Sequence, residues 1–207
     1  GVCIMITLYH APQSRSSRII WLLEEVGAPY EIHPVSIFRP MTGTGAPDPA
    51  NPHPDKQVPA MIHEGELVAE SVGIVVYLTD AFPEAGLAPE AGAPGRGTYL
   101  TWVTWYAAAM EPAMFAAFGG ELEGSPLKQR GYDAVIRRIE GALAQGPYLL
   151  GESFSAVDLL VASAIKFARQ VFPESASLDA YVARCATRPA AIRAAGLDDA
   201  NGLQRAA

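Results

Sequence analysis

The stretch CIMITLYHAPQSRSSRIIWLLEEV, residues 3–26, changes its period once. Cys3–Tyr9 is apolar and carries β-branched residues, the pattern of a buried strand. After a short polar turn, Ser16 or Ser17 can cap a helix that runs through Leu23–Val26 and stops at Gly27. Ile19, Trp21, Leu22, Leu23 and Val26 form its apolar side. Working outward, Tyr30–Ile37 reads as a second strand, and Arg39–Pro54 is rich in Pro, Gly and Thr, hence loop with at most a short helix. Val58–His63 and Glu66–Ala69 pair as a hairpin across Glu64-Gly65. Ser71–Phe82 is a helix that Pro83 ends. The order β-α-β-loop-β-β-α is half of an α/β sheet with one added hairpin.

Residues 83–97 (PEAGLAPEAGAPGRG) read as a linker between an α/β domain, 1–82, and an all-helical domain, 98–207. Helices are expected at Thr98–Gly119, with a kink at Pro112, and at Pro126–Ala144, Ser155–Val171, Leu178–Cys185 and Pro189–Ala195.

Of the 207 residues half are hydrophobic and 18% charged, a composition that folds. A net charge of −7 without a basic run excludes nucleic acid and anionic membrane surfaces as natural partners. Cys3 and Cys185 form no Cys-x-x-Cys pair, so neither a dithiol centre nor a disulfide framework is expected, and a reducing compartment is. His10, His33, His53 and His63 lack metal-ligand spacing, so no metal is expected. The apolar start Val2–Leu8 lacks a basic flank and is short for a signal peptide, and no run approaches the roughly 18 apolar residues of a membrane span. The expectation is a soluble, cytoplasmic protein.

Three places carry chemistry. The turn from Tyr9 to Arg18 puts Ser14, Ser16 and Ser17 at a helix N-terminus, where unpaired N–H groups favour an anion such as a thiolate. Lys56-Gln57-Val58-Pro59 opens a strand with a proline, as in a tight turn that can contain a cis peptide. The Val58 N–H and C=O are then free to pair with an extended peptide. Glu70-Ser71 opens the next helix, suited to an ammonium and a carboxylate respectively. Taken singly, each has a plainer reading: caps or solvated serines, an edge-strand proline, a helix start with an acidic neighbour. Taken together, thiolate donor, backbone pairing and amino-acid clamp are what a γ-glutamyl tripeptide thiol requires.

The order Tyr9-x3-Gln13-Ser14-Arg15-Ser16-Ser17-Arg18, then Gln57-Val58-Pro59-Ala60, then Glu70-Ser71 followed by Val75-Val76-Tyr77-Leu78, resembles a cytosolic glutathione S-transferase of the bacterial, serine-type-like kind. Asn51-Pro52, Gly151–Asp158 and Arg188-Pro189-Ala190 extend the likeness over nearly the whole chain. The resemblance implies a thioredoxin-like N-terminal domain, an all-α C-terminal domain with a cleft for a hydrophobic co-substrate, and a homodimer. It implies a detoxifying transferase that activates glutathione for attack on a small hydrophobic electrophile. In that family Ser14 would donate to the glutathione sulfur, with Ser16 and Tyr9 as rivals. Val58 would pair with the cysteinyl backbone beside a cis Pro59, and Glu70 and Ser71 would hold the γ-glutamyl group. Lys56 and Gln57, helped by Arg39 or His53, would meet the glycyl carboxylate. This chain departs from the family's usual Asn-Pro-x-Gly-Lys-Val-Pro loop in that Asp55 enters and the basic residue, Lys56, moves one position. The alternatives on the same fold are a non-catalytic interaction module and a glutathione-dependent isomerase, dehalogenase, ether-cleaving enzyme or peroxidase.

In the helical half, Ser155-Ala-Val-Asp158 is a capping box with Phe154 and Leu159 as its staple. Tyr106, Met110 and Met114 recur every fourth residue beside Phe115 and Phe118. That stripe reads as core, or as a soft wall for an electrophile.

Overall fold

Ile6, Leu8 and His10 are fully buried while Thr7 and Tyr9 are half-buried, which makes the first strand a central one. A computed structural model describes residues 5–206, with side chains as far as Ala200. Cys3 and the first residues of the expected strand lie outside the described residues. Among the described residues, β1 (Ile6–His10), β2 (Tyr30–Pro34), β3 (Ala60–His63) and β4 (Glu66–Ala69) form one sheet in the order β2-β1-β3-β4. β1 runs parallel to β2, with Leu8 opposite Ile32, and antiparallel to β3, with Leu8 opposite Met61. β3 and β4 form the expected hairpin, and Glu64 (φ 53°) and Gly65 (φ 79°) adopt the two positive φ angles that a two-residue turn requires. Helix α1 (Ser17–Val26) ends at Gly27, in the left-handed region at φ 68°. Helix α2 (Ser71–Ala81) follows β4. This βαβ-ββα arrangement is the thioredoxin-like one.

Two strands are shorter than the pattern suggests, and both stop at a proline. Pro34 ends β2, and only the Val35 N–H reaches back, to the His10 carbonyl at 2.8 Å. β3 begins after Pro59, which has no N–H to offer the ladder. Within 39–54 an isolated bridge joins Arg39 and Thr44.

The chain divides into two compact units, one of Gly86–Arg188 and one of the residues through Ala85 together with those from Pro189 onward. The last helix, α8 (Pro189–Ala206), is therefore longer than the expected Pro189–Ala195 and belongs to the α/β unit rather than to a continuous helical domain. Ile19, Ile20, Trp21, Leu22 and Leu23 of α1 are all buried, so α1 is covered all round and needs a second partner besides the sheet. Helix α8 is that partner, with Ala190 and Ala194 buried and Arg193 Nε 2.6 Å from Glu24 Oε2.

The other unit holds α3 (Arg96–Trp105), α4 (Glu111–Phe118), α5 (Pro126–Leu143), α6 (Ala156–Phe167) and α7 (Ala176–Ala186). The single kinked helix expected over Thr98–Gly119 is instead two helices joined by a π-helical turn, Tyr106–Met110. Pro112 supplies no amide donor, and the Glu111 N–H reaches the Tyr106 carbonyl, one residue further back than in an α-helix. Helix α6 ends at Phe167, and Arg169–Val171 forms a separate 3₁₀ turn. The capping box is present: Asp158 Oδ2 accepts from the Ser155 N–H at 2.9 Å and from its hydroxyl at 3.0 Å. Asp158 Oδ1 also accepts from the Leu149 N–H and the Tyr181 hydroxyl. Burial raises the Asp158 carboxyl above its ordinary value, and these bonds only partly offset it.

Candidate active site

Ser16 occupies the N-cap position of α1, yet its side chain makes no cap bond. The expected role of Ser16 as a cap is thus not what the structure holds. Its Oγ is 2.8 Å from His10 Nδ1, accepts from the Ala11 N–H at 3.2 Å, and lies 2.7 Å from Ser14 Oγ. Ser16 and His10 are fully buried, whereas Ser14 is half-buried. Ser14 Oγ donates to the Ala11 carbonyl at 2.7 Å and accepts from the Ser16 N–H at 3.1 Å. The Ser14 N–H in turn donates to Ser17 Oγ at 3.1 Å. Of the serines in the turn, Ser14 is thus a partly exposed hydroxyl held by the backbone, while Ser16 lies behind it.

Asp198 of α8 reaches into the same turn. Its carboxylate accepts from the Gln13 N–H at 3.2 Å and from the Ser17 hydroxyl at 3.0 Å. Asp198 Oδ1 stands 2.9 Å from His10 Nε2, a close polar contact that does not meet the geometry of a regular hydrogen bond. Burial pushes the Asp198 carboxyl up, but its contacts with His10, Ser17 and Gln13 outweigh that, and it ends below the usual carboxylate range. From the other side Arg39 closes the turn, its guanidinium donating to the carbonyls of Pro12 at 2.6 Å and Gln13 at 3.2 Å. Arg39, considered above as a carboxylate ligand, is here a brace for the turn.

Val58 packs with Ala11 and Val35 in a small buried cluster, against which Tyr9 and Ile37 rest. That cluster brings the Val58–Pro59 segment beside the serine turn. The Val58–Pro59 peptide is cis. Asn51, fully buried, organises the preceding loop: its Nδ2 donates to the Gln57 carbonyl at 2.8 Å and its Oδ1 accepts from the His53 N–H at 3.0 Å. Lys56 Nζ donates to the Asn51 carbonyl at 2.7 Å, and His53 Nδ1 accepts from the Asp55 N–H at 3.0 Å. Lys56 has two further N–H donors, whereas His53 is tied into the loop. Gln57 is exposed.

Glu70 precedes α2 with φ 64° and ψ 130°, its side chain exposed and making no cap bond. Ser71 is half-buried in the first turn. Among the described residues four non-glycines have positive φ: Gln13, Lys56, Glu64 and Glu70. One makes the hairpin turn, and the other three fall one in each of the three elements singled out above. Such backbone costs about 1–3 kcal/mol per residue and gathers where ligands are held.

Tyr9, the other rival for the sulfur, has its ring against His33 at 4.9 Å between centroids. Tyr106, Met110 and Met114 are buried core, and Phe118 stacks on the exposed Phe167 at 6.2 Å. Cys185 is buried, with its thiol pushed up to about 12 chiefly by burial and then by the Asp158 charge. Among the described residues no group of three or more His, Cys, Asp or Glu could hold a metal, and no helix is long and apolar enough to cross a membrane. The sequence offers His10 only as a histidine without metal-ligand spacing and Asn51 only as part of the family likeness, and it gives no sign of Asp198. A histidine at the end of a strand carries a faint signal, and an aspartate in a distant amphipathic helix carries none.

The family model for the N-terminal domain of glutathione S-transferases matches residues 5–80, and the C-terminal domain model matches residues 105–187. Glutathione S-transferase 3 of Schizosaccharomyces pombe is 25% identical over 173 residues, 74% of this chain and 70% of that protein. The crystal structure of a glutathione S-transferase from Actinobacillus pleuropneumoniae has a TM-score of 0.80 at 22% identity, covering 94% of this chain and 93% of the other. A sphingomonad glutathione S-transferase complexed with glutathione has a TM-score of 0.74 at 23% identity, covering 93% and 98%. With both domains matched in order along one chain, and a thioredoxin-like unit joined to a helical one, this protein belongs to the glutathione S-transferase family.

Proposed function

We propose that this chain is a glutathione transferase that binds glutathione on its α/β unit and transfers it to a small hydrophobic electrophile. Supporting this are family membership and the solved sphingomonad relative in complex with glutathione. The observation that carries the reading is the left-handed backbone at Gln13, Lys56 and Glu70, one at each element that a γ-glutamyl tripeptide thiol would touch. Ser14 donates to the sulfur and holds it as thiolate. The Val58 backbone pairs with the cysteinyl residue beside Pro59, Glu70 and Ser71 take the γ-glutamyl head, and Lys56 with Gln57 meets the glycyl carboxylate. Lowering a thiol pKa by one unit takes about 1.4 kcal/mol, within reach of one hydrogen bond to a charged group. The enzyme then contributes orientation and anion stabilisation to the attack on the electrophile. The proposal includes a cytoplasmic homodimer with a detoxifying role.

The test is a glutathione titration of the wild-type protein, followed by turnover with a model aryl halide by wild type and Ser14→Ala. Saturable binding in both, with turnover in Ser14→Ala reduced about tenfold or more, is expected. No binding at millimolar glutathione would sink the proposal.

A further inference from the structure

The serine turn holds a chain of polar atoms that runs from a partly exposed hydroxyl to a buried imidazole beside a carboxylate. Ser14 Oγ is 2.7 Å from Ser16 Oγ, Ser16 Oγ is 2.8 Å from His10 Nδ1, and His10 Nε2 is 2.9 Å from Asp198 Oδ1. Resting on the glutathione reading above, we propose that Asp198, His10 and Ser16 form a proton relay that accepts the thiol proton through Ser14.

Counting donors and acceptors gives two arrangements of this chain, in each of which the Ser14 hydroxyl turns from the Ala11 carbonyl into the chain. In the first, His10 is neutral with Nδ1 bare. Ser16 donates to Nδ1, Ser14 donates to Ser16, and a lone pair of Ser14 is left to accept the thiol S–H. In the second, each proton has moved one link inward. The S–H bond is broken, an Nδ1–H bond is formed, Nδ1–H donates to Ser16, Ser16 donates to Ser14, and Ser14 donates to the thiolate. Charge balances: the sulfur gains a negative charge, His10 a positive one, and no electrons leave the system. When the thiolate is consumed the proton returns along the same path to the leaving group or solvent. In both arrangements each hydroxyl donates once and accepts twice, because the Ala11 N–H serves Ser16 and the Ser16 N–H serves Ser14 throughout. Both states satisfy the two hydroxyls at the expense of the Ala11 carbonyl, which gives up the proton that Ser14 otherwise donates to it at 2.7 Å, and the exchange between them moves protons only.

The carboxylate makes the second state affordable. His10 is fully buried, and a lone imidazolium there would be costly. Asp198 stands at its outer nitrogen and is itself held by the Gln13 N–H and the Ser17 hydroxyl, so the charge is met without movement. This is the logic of an aspartate that steadies a histidine beside a serine, with a second serine carrying the effect to the surface. Of the charged groups on the elements packed round the ring, Asp198 of α8 faces it. Strand β2 presents Pro34 opposite His10, Arg18 of α1 donates to the Arg15 carbonyl at 3.4 Å, and Arg193 of α8 is engaged by Glu24. His10, Ser16 and Asp198 act through Ser14 and are positioning residues.

The experiment measures the pKa of the bound thiol by thiolate ultraviolet absorbance across pH, in the glutathione complexes of wild type, His10→Asn, Asp198→Asn and Ser14→Ala. His10→Asn keeps a hydrogen-bonding atom near Nδ1 but cannot take up a proton. The relay predicts that the bound thiol pKa rises by about one unit or more in His10→Asn and Asp198→Asn, while glutathione affinity stays within about threefold of wild type. A merely structural role would move affinity or melting temperature and leave the thiol pKa in place. Should His10→Asn not fold, Asp198→Asn decides, because that side chain is 14% exposed. A wild-type thiol pKa that is depressed and Ser14-dependent, yet unchanged in Asp198→Asn, overturns the relay and leaves the transferase reading standing. A wild-type protein that binds no glutathione overturns both.

Discussion

The carboxylate of Asp198 ties α8 to the turn before α1, meeting the Ser17 hydroxyl at 3.0 Å across almost the whole length of the chain. Replacing Asp198 by Ala removes bonds to Ser17 and the Gln13 N–H and leaves His10 without its charge partner. A loss of about 1–3 kcal/mol is expected. Because the folded carboxyl lies below its unfolded value of about 3.9, its contribution is present above that pH and is lost as pH falls through the folded value. Urea midpoints of wild type and Asp198→Ala should therefore converge in acid and separate at neutrality. Parallel curves down to the lowest pH would contradict this.

Asp158 titrates in the opposite sense. Its folded carboxyl is raised, mainly by burial, so its protonation favours the fold below about pH 3.9 and that contribution is lost as pH rises through the folded value. Asp158→Ala removes the carboxylate that accepts from the Leu149 and Ser155 N–H groups and from the Tyr181 hydroxyl, at a cost of about 3–5 kcal/mol. Asp158→Asn keeps an acceptor for some of these and should cost less. Chemical denaturation of the two variants checks the order, and equal losses would contradict it.

Asn51 holds the loop that carries Lys56, Gln57 and Val58. Asn51→Ala breaks its bonds to the Gln57 carbonyl and the His53 N–H, and should destabilise the protein by about 1–3 kcal/mol. If that loop binds the tripeptide, glutathione affinity should fall about tenfold while the bound thiol pKa stays put, since the serine turn is untouched. Calorimetric titration with glutathione separates the two effects.

Cys185 is buried, and its thiol is pushed up to about 12 by burial and then by the Asp158 charge. Little thiolate exists at neutral pH, so native protein should resist alkylation at Cys185 until it unfolds. Peptide mapping after alkylation with and without denaturant reads this directly. Rapid native labelling at Cys185 would show that α7 opens locally.

The strand and helix pattern of 6–82 was legible because each element there announces itself through local period and punctuation. Gly27 stops α1, Glu64-Gly65 turns the hairpin, and prolines bound β2 and β3. Asp158 was legible for the same reason, since a capping box is a four-residue signal. The interruption at Tyr106–Met110 was only half visible: Pro112 warned of a break, but a π turn depends on which carbonyl the next free amide reaches.

What the sequence by itself determined was the run of elements, the order of three local motifs, and hence the family. What the tertiary structure decided was which serine faces outward and what stands behind it. Local pattern alone does not separate Ser14 from Ser16, two serines in one polar turn, and only the family resemblance favours Ser14. Their surroundings differ because β1 buries His10 against Ser16 and α8 places Asp198 at the other nitrogen of the ring. Sequence periodicity reports which face of an element is buried, and it cannot report which distant element buries it.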